Sequence, residues 1–278
     1  MTAPTATGGL TLAVTSSTGI MSLAVGRVPP WDPVGPGQTS GPDGNGVEQS
    51  AEIEQLAEIE QLAEIEHLAE IEVVTHRRHA EEISPRLNEL LAKAGVAITD
   101  LDRLVIDVGP GRFTGLRVGL ATVRALAFAL DLPVVGLTSL AVLAAGHPSG
   151  SVVTAVIDAR RQEVFQQTFV DGMPDGEPEV GSPESLAPRA RGAVIGDGVD
   201  RYFEQYADLA AEAGAVPITG ITPSAAVMVA MSRGLTGVVG TAVEPLYLRE
   251  PDAKPNIKTR VASDPAAAGQ ARTGGGAQ

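Results

Sequence analysis

The chain has 278 residues, enough for one or two domains with a sizeable core. It carries 34 acidic and 20 basic residues, a net charge of −14, and nine of its glutamates lie between Glu48 and Glu72. A net negative charge repels phosphate backbones and argues against tight nucleic-acid binding by this chain alone. There is no cysteine, which excludes disulfides, thiolate nucleophiles and cysteine-ligated metals.

The N-terminus, MTAPTATGG, has neither the basic region nor the apolar core of a signal peptide. Residues 125–146 are apolar enough to resemble a membrane span, but Asp131, Pro133 and Gly136 interrupt them. The β-rich middle of this stretch favours a helix, a strand and a helix in a core over one helix in lipid. We therefore expect a soluble cytoplasmic protein.

The first predicted elements form a hairpin. Two short apolar runs, 10–14 and 20–25, flank the polar turn 15–19. Residues 29–50 are so rich in Pro, Gly, Ser and Asp that they predict a disordered insertion, which extends to about residue 66.

A hexapeptide repeat, AEIEQL, then runs from residue 51 to residue 72. Its Ile and Leu recur every third residue, so the apolar stripe would wind round a helix, which argues against a stably packed helix. The last copy leads into 68–75, which predicts the third strand. We interpret the earlier copies as tandem duplications of that strand's segment, tolerated because loops lengthen at little cost.

Alternating helices and strands follow. Apolar spacing predicts an amphipathic helix over 76–94, ended by Gly95, in which Pro85 either introduces a kink or marks a second start capped by Ser84. The next predicted elements are a strand at 104–108, a Gly-rich link, a helix at 113–130, a strand at 133–137 and a helix at 139–145.

The plan of the opening hairpin recurs in the second half. Strands are predicted at 152–157 and 163–170, around the polar turn 158–162, and the repetition implies a duplicated α/β fold with a cleft between its halves. A Gly/Pro-rich loop at 172–188, a strand at 193–195 and helices near 200–213 and 224–233 complete it. We expect lobes at 1–150 and 151–254 and a disordered tail at 255–278.

The most distinctive segment is VIDVGPGRFTGLRVG, residues 105–119. Free amides at the start of a helix attract anions, so the segment could bind phosphate. It matches neither the dinucleotide-binding nor the P-loop pattern and has no lysine nearby, so a tight packing turn is the alternative.

The helix at 113–130 is apolar round most of its circumference. Only Arg117 and Arg124 are charged, and Gly115 and Gly119 flatten one side. A sheet covers only one side of such a helix. Either the helix at 76–94 covers the other side, or both helices pack against a partner protein.

The other candidates for chemistry are weaker. His76 and His79 could form a metal pair, but they lack the H-E-x-x-H spacing, and capping or exposed histidines are the alternative. The turn 15–18 could touch a nucleotide phosphate, although it has no aspartate for magnesium. Asp158 is expected in an exposed salt bridge of its turn.

Several motifs, in order, resemble the bacterial TsaB (YeaZ) family: LAVTSSTGIMSLAV at 12–25, RRHAEE at 77–82, GPGRFTGLRVG at 109–119, PVVGLTSL at 133–140, DARRQEV at 158–164 and PLYLR at 245–249. The resemblance implies a duplicated, actin-like (ribonuclease H-like) two-lobed α/β fold of the sugar kinase/Hsp70 superfamily. It also implies a role in adding a threonylcarbamoyl group to the adenosine beside the anticodon of tRNAs that read codons beginning with A.

Within that pathway, the resemblance implies a non-catalytic subunit with no cofactor or metal. Such a subunit dimerises with the catalytic TsaD, is joined by the ATPase TsaE, reaches tRNA only through the complex, and could form a homodimer when alone. The family's contact uses the two N-terminal-lobe helices, which here implies an interface of His79, Glu82, Ile83, Leu116, Arg117, Leu120, Val123, Arg124 and Ala127.

The sequence also departs from the family pattern. Family members usually begin the first turn with Asp-Thr-Ser, where this chain has Thr15, Ser16 and Ser17, and the 29–66 insertion is not part of the pattern. A stand-alone ATP-dependent phosphotransferase of the same superfamily is the alternative function. It would need an acidic magnesium ligand where Thr15 stands. Peptidase activity finds no support, because no metal-activated water and general base are evident.

Overall fold

The computed structural model describes residues 9–29, 65–75, 78–148 and 152–249. The body of the predicted insertion, most of the repeat, His76 and the predicted tail at 255–278 lie outside these residues. The described part contains two mixed β-sheets with helices against their faces.

The first sheet has six strands in the order β12-β5-β4-β1-β2-β3. Their bounds are β1 Gly9–Thr15, β2 Ile20–Val28, β3 Glu66–Val74, β4 Arg103–Gly109, β5 Pro133–Thr138 and β12 Val238–Val239. The second sheet has the order β11-β10-β6-β7-β8, and β9 also pairs with β7. Its bounds are β6 Val152–Arg160, β7 Glu163–Val170, β8 Met173–Pro174, β9 Glu179–Gly181, β10 Ala193–Ile195 and β11 Val216–Ile218.

The two sheets share one plan. Each begins with an antiparallel hairpin, β1–β2 in one and β6–β7 in the other. The first strand of each hairpin then pairs in parallel with a later strand, β4 or β10, which pairs in parallel with the next, β5 or β11. This confirms the predicted duplicated, actin-like α/β fold.

Seven α-helices lie within the described residues: α1 His79–Ala94, α2 Phe113–Leu130, α3 Ser139–Ala145, α4 Pro183–Leu186, α5 Asp197–Arg201, α6 Phe203–Glu212 and α7 Ala225–Met231. The exposed Pro85 lies inside α1, which is one helix with no second start at Ser84. The helix predicted near 200–213 is two helices, α5 and α6, and the predicted loop at 172–188 contains β8, β9 and α4.

The first sheet is covered on both faces. On one face α1 and α2 bury a core that includes Leu12, Leu23, Leu90, Leu104 and Leu120. On the other face α7 packs through Met228 and Val229 against residues of β1, β2 and β4. The chain thus returns to the first sheet with α7 and β12 after building the second sheet, although the sequence pattern showed no sign of this return.

Candidate functional site

The Gly-rich segment after β4 packs directly on the β1–β2 turn. A Cβ added at Gly111 or Gly115 would lie within 3.0 Å of the carbonyl oxygens of Ser17 or Ser16. The amide of Arg112 donates a hydrogen bond of 2.6 Å to the Ser17 carbonyl. The glycines are therefore required for close approach of two backbones, and the packing turn, not the phosphate cradle, describes this segment.

Arg112 extends from this segment over the turn and toward the second sheet. A Cβ on Gly19 would lie 2.6 Å from its Nη1, and its Nη2 lies 3.5 Å from Oδ2 of Asp197. Asp197 also accepts a hydrogen bond of 2.9 Å from the amide of Asp158. Burial raises the pKa of Asp197 to about 6, although the Asp158 amide and the Arg112 charge oppose this rise. A cation of the chain itself thus occupies the space beside the first turn.

A second buried carboxylate, Asp107, lies near the end of β4. Its oxygens accept hydrogen bonds from Thr15 Oγ1 at 2.7 Å, from the Gly109 amide at 2.8 Å and from the Ser139 hydroxyl. Burial raises its pKa, and these donors act in the opposite direction. Both of its oxygens thus accept hydrogen bonds from within the chain. In the described ranges, no group of three or more His, Cys, Asp or Glu is placed to hold a metal ion.

Asp158 is not in an exposed turn as predicted. Its side chain is 2% exposed, and its Oδ2 lies 3.4 Å from Arg160 Nη1 and 3.7 Å from Arg201 Nε. Arg201 ends α5, so this contact joins the β6–β7 turn to that helix. The polar turn sequence suggested an exposed Asp158 side chain. A local pattern does not indicate that α5 packs on β6 and covers it.

His79 is a core residue at the start of α1. Its Nε2 lies 2.8 Å from Thr75 Oγ1, and burial lowers its pKa below the ordinary value of 6.5. His76, the other member of the predicted pair, lies outside the described residues. His79 itself is too deeply buried to contact a partner protein.

Most of the interface residues implied by the resemblance are also buried. The inward side of α2 packs in the core or against the Gly-rich segment, and Ile83 of α1 joins the same core; the buried members are His79, Ile83, Leu116, Leu120, Val123 and Ala127. Glu82 and Arg124 are half-buried, and Arg117 is exposed. The apolar stripe assigned to a partner is thus the stripe that faces the sheet.

The C-terminal part of the described chain covers a second flank of α2. Arg124 donates a hydrogen bond to the Val243 carbonyl, and a Cβ on Gly240 would meet Ala127. The amide of Leu246 donates to the Val108 carbonyl at 2.7 Å. With α1 on one side and residues 240–247 on the other, α2 keeps a single outer face.

That outer face is exposed and nearly uncharged. We define the α2 ridge as the exposed residues spaced three or four apart along it: Thr114, Arg117, Ala121, Ala125 and Phe128. Phe128 is 87% exposed. Ala121 and Ala125 are small, so another helix could approach the backbone closely between Arg117 and Phe128.

An aromatic cluster lies at the N-terminal end of the α2 ridge. The Arg117 guanidinium lies 3.7 Å from the centroid of the Phe113 ring, and its Nε donates to the Tyr247 hydroxyl at 3.3 Å. The rings of Phe113 and Tyr247 are 5.5 Å apart. Both aromatic residues are exposed, at 44% and 40%. Arginine and aromatic side chains that are already held in place are typical anchors of protein interfaces.

Sequence reasoning missed several of these residues. Asp107 is a lone acid in an apolar strand, and Asp197 lies in a Gly-Asp-Gly stretch directly after β10, which is a signal that could have marked it. Tyr247 belongs to the PLYLR motif, but no local pattern indicates its contact with Arg117, which spans 130 residues of sequence.

Among the described residues, α2 is the one helix whose length and apolar composition would suit a membrane span. Core helices of globular proteins share these properties, and α2 packs against β4. The stretch 125–146 contains the end of α2, then β5 and α3, as predicted.

Comparison with known proteins identifies the family. Residues 71–173 match a family model described as TsaD, tRNA N6-adenosine threonylcarbamoyltransferase. The tRNA threonylcarbamoyladenosine biosynthesis protein TsaB of Escherichia coli is 31% identical over 193 residues, which cover 62% of this chain and 81% of that protein. This chain belongs to the TsaB family.

Two uncharacterized mycobacterial proteins and one solved structure are also similar to this chain. Rv3421c of Mycobacterium tuberculosis is 37% identical over 187 residues, 66% of this chain and 80% of that protein. ML0378 of Mycobacterium leprae is 37% identical over 189 residues, 66% of this TsaB-family chain but only 47% of that longer relative. The solved structure of YeaZ from Pseudomonas aeruginosa is similar with a TM-score of 0.61 at 26% identity, covering 86% of this chain and all of that one.

Proposed function

We propose that this chain is a non-catalytic subunit in the formation of threonylcarbamoyl-adenosine in tRNA, and that it acts by binding a TsaD-type catalytic subunit. The observation that carries this proposal is its similarity to Escherichia coli TsaB across 81% of that protein. Its net charge of −14 fits a cytoplasmic protein that reaches tRNA only through the complex.

The interior of the chain supports a non-catalytic role. Asp107 and Asp197 are occupied by hydrogen bonds from the chain, and Arg112 stands over the first turn. The alternative, an ATP-dependent phosphotransferase, would need that turn open for phosphate and an acidic ligand for magnesium. At the first turn of this chain, Thr15 instead donates a hydrogen bond to Asp107.

The α2 ridge is the surface that we propose for the TsaD-type partner. It is a helix face with one charged residue, two alanines for close helix approach, and exposed aromatic residues at both ends. It replaces the buried residues of the expected interface and retains Arg117. In the absence of the partner, a second copy of the chain could cover the same ridge. A TsaE-type ATPase then joins the heterodimer.

The test is retention of the chain by the immobilised TsaD-type subunit of the same organism. Ala125→Arg places a long cation in the middle of the α2 ridge and should abolish retention without lowering Tm, because Ala125 is exposed. Ala211→Arg, at an exposed position on α6, is the matched control and should be retained like the parent chain. Full retention of the Ala125→Arg chain would show that the interface lies elsewhere.

A reconstituted modification assay tests the function itself. The TsaD-type and TsaE-type subunits with tRNA, threonine, bicarbonate and ATP, together with the enzyme that activates threonine, should modify tRNA only when this chain is added. Ala125→Arg should reduce the modification in parallel with its loss of retention. Modification that does not depend on the chain would contradict the proposal.

A further inference from the structure

Arg112 and Asp197 occupy corresponding places in the two halves of the duplicated fold. In the first sheet, β4 pairs in parallel with β1, and Arg112 follows β4 and directly precedes α2. In the second sheet, β10 pairs in parallel with β6, and Asp197 follows β10 as the first residue of α5. The two side chains carry opposite charges, and Arg112 Nη2 lies 3.5 Å from Asp197 Oδ2. Their contact thus links equivalent points of the two halves.

Asp197 is held in place by its own half of the fold. It lies between Gly196 and Gly198, and a Cβ on either glycine would lie within 3.0 Å of an atom of Val156 in β6. Its Oδ1 accepts a hydrogen bond of 2.9 Å from the Asp158 amide on the same strand. Its side chain is 14% exposed. The second half therefore presents a carboxylate in a fixed position to the first half.

Arg112 holds the start of α2 through three contacts. Its amide donates a hydrogen bond of 2.6 Å to the Ser17 carbonyl, and its carbonyl accepts one of 3.0 Å from the Leu116 amide. Its guanidinium makes the third contact, with Asp197. Arg112 is the N-cap residue of α2, but its side chain accepts no capping hydrogen bond. The side chain of Arg112 instead connects the start of the helix to the second half of the fold.

The start of α2 carries the aromatic cluster of the α2 ridge. Phe113 follows Arg112 directly, and its ring lies 3.7 Å from the Arg117 guanidinium and 5.5 Å from the ring of Tyr247. A displacement of the first turn of α2 would therefore displace this cluster. Side chains that are already held in their bound geometry bind more tightly, because less freedom is lost on association.

We propose that Arg112 and Asp197 are positioning residues for partner binding. Through their contact, the second half of the fold holds the start of α2, and with it the aromatic cluster, in the geometry that the TsaD-type subunit recognises. This role rests on the proposed function, because it takes the α2 ridge as the binding surface. Both residues act through Phe113 and Arg117 and not by touching the partner.

Hydrogen exchange of the free chain tests the positioning without any partner. Asp197→Asn removes the charge that Arg112 contacts but keeps an oxygen for the Asp158 amide. The amides of residues 116–119, the first hydrogen-bonded turn of α2, should then exchange several times faster than in the parent chain. The amides of residues 123–130 should exchange as before. Unchanged exchange at 116–119 would overturn the proposal.

Asp175→Asn is the matched control for this experiment. Asp175 is also an acid paired with an arginine, but its partner is Arg191, and both residues belong to the loops of the second sheet. Its replacement removes one ion pair without touching the start of α2. Exchange at 116–119 should therefore stay at the parent rate. An equal rise in both variants would show a general effect of lost charge and would contradict the specific role of Asp197.

Binding to the immobilised TsaD-type subunit gives the second test. At pH 7.5 Asp197, whose pKa is about 6, is mainly ionised. Arg112→Met and Asp197→Asn should each raise Kd about fivefold or more, the lower end of the usual coupling between separate sites. The double variant should bind no more weakly than the weaker single variant, because both changes remove one contact. Effects that multiply would contradict the proposal.

A conservative variant and the parent chain complete the binding test. Arg112→Lys keeps the cation and should bind more tightly than Arg112→Met, and the Tm of each variant shows that it is folded at the assay temperature. Equal binding by the parent and the Asp197→Asn chain would contradict only the role of the Arg112–Asp197 contact. A parent chain that does not bind would contradict the proposed function itself, and this role with it.

Discussion

At the scale of single residues, His79 makes the fold sensitive to acid. Burial lowers its pKa below 6.5, so the unfolded chain binds this proton more readily than the folded one. The stabilising contribution of His79 is therefore complete above the unfolded pKa and is lost as pH falls through the folded pKa. Asp197, whose pKa is raised to about 6, acts in the opposite direction over a similar range.

We predict that His79→Gln flattens the loss of stability on acidification. Glutamine can keep a hydrogen bond to the Thr75 hydroxyl but does not titrate. The measurement is Tm at pH 7.5 and at pH 5 for both chains. The variant should lose less Tm between the two values than the parent, even if its Tm at pH 7.5 is lower. A parent and a variant with the same pH slope would show that His79 does not titrate with folding.

The residues that sequence reasoning placed correctly are those with local signals. The Gly-rich segment was expected to be either a phosphate site or a packing turn, and the close approach of Gly111 and Gly115 to Ser17 and Ser16 decides for packing. The roles of Asp107 and Asp197 depend on partners up to 92 residues away in sequence, so no local pattern could reveal them.

At the scale of elements, the sequence predicted the bounds of helix α2 correctly but not which of its sides faces the sheet. Its bounds follow from periodicity, and the structure has them at Phe113–Leu130. Which side faces the sheet depends on α1, β4 and residues 240–247, which arrive from distant parts of the chain. The apolar stripe of α2 that we expected to contact a partner protein is the side that faces the core.

We predict that Leu120→Glu unfolds the chain and does not merely remove a contact with a partner. Leu120 is 4% exposed in the core cluster, and a carboxylate buried there without a counter-ion costs several kcal/mol, on the order of 3–5. The measurement is thermal unfolding, with Ala125→Arg on the exposed side of the same helix as the control. A Leu120→Glu chain with the Tm of the parent would show that this side of α2 is accessible.

At the scale of the whole molecule, the repetition of a strand–turn–strand plan was sufficient to predict the duplicated fold. The return of α7 and β12 to the first sheet was not predictable, because short apolar helices and strands carry no signal of which sheet they join. The lobes at 1–150 and 151–254 stay a prediction. The packing of α7 on β2 is a contact across the expected boundary between them.

We predict that replacing residues 29–64 with Asn-Gly leaves the fold and the binding of the TsaD-type subunit intact. Arg27 and Glu66 are cross-strand partners, so the two ends to be joined already lie side by side. A two-residue Asn-Gly turn suits an antiparallel pair, and the shorter loop costs less entropy. The checks are soluble yield, Tm and retention by the immobilised partner. Loss of retention in a folded variant would assign the insertion a role in binding.

The central claim is that the chain contributes binding and not chemistry. The most direct measurement is magnesium-dependent ATP hydrolysis and tRNA modification by the purified chain, alone and with the TsaD-type and TsaE-type subunits under the full assay conditions. We predict neither activity for the chain alone, and tRNA modification once the other subunits are added. ATP turnover by the chain alone that disappears in a Ser16→Ala/Ser17→Ala/Thr18→Ala variant with unchanged Tm would contradict it.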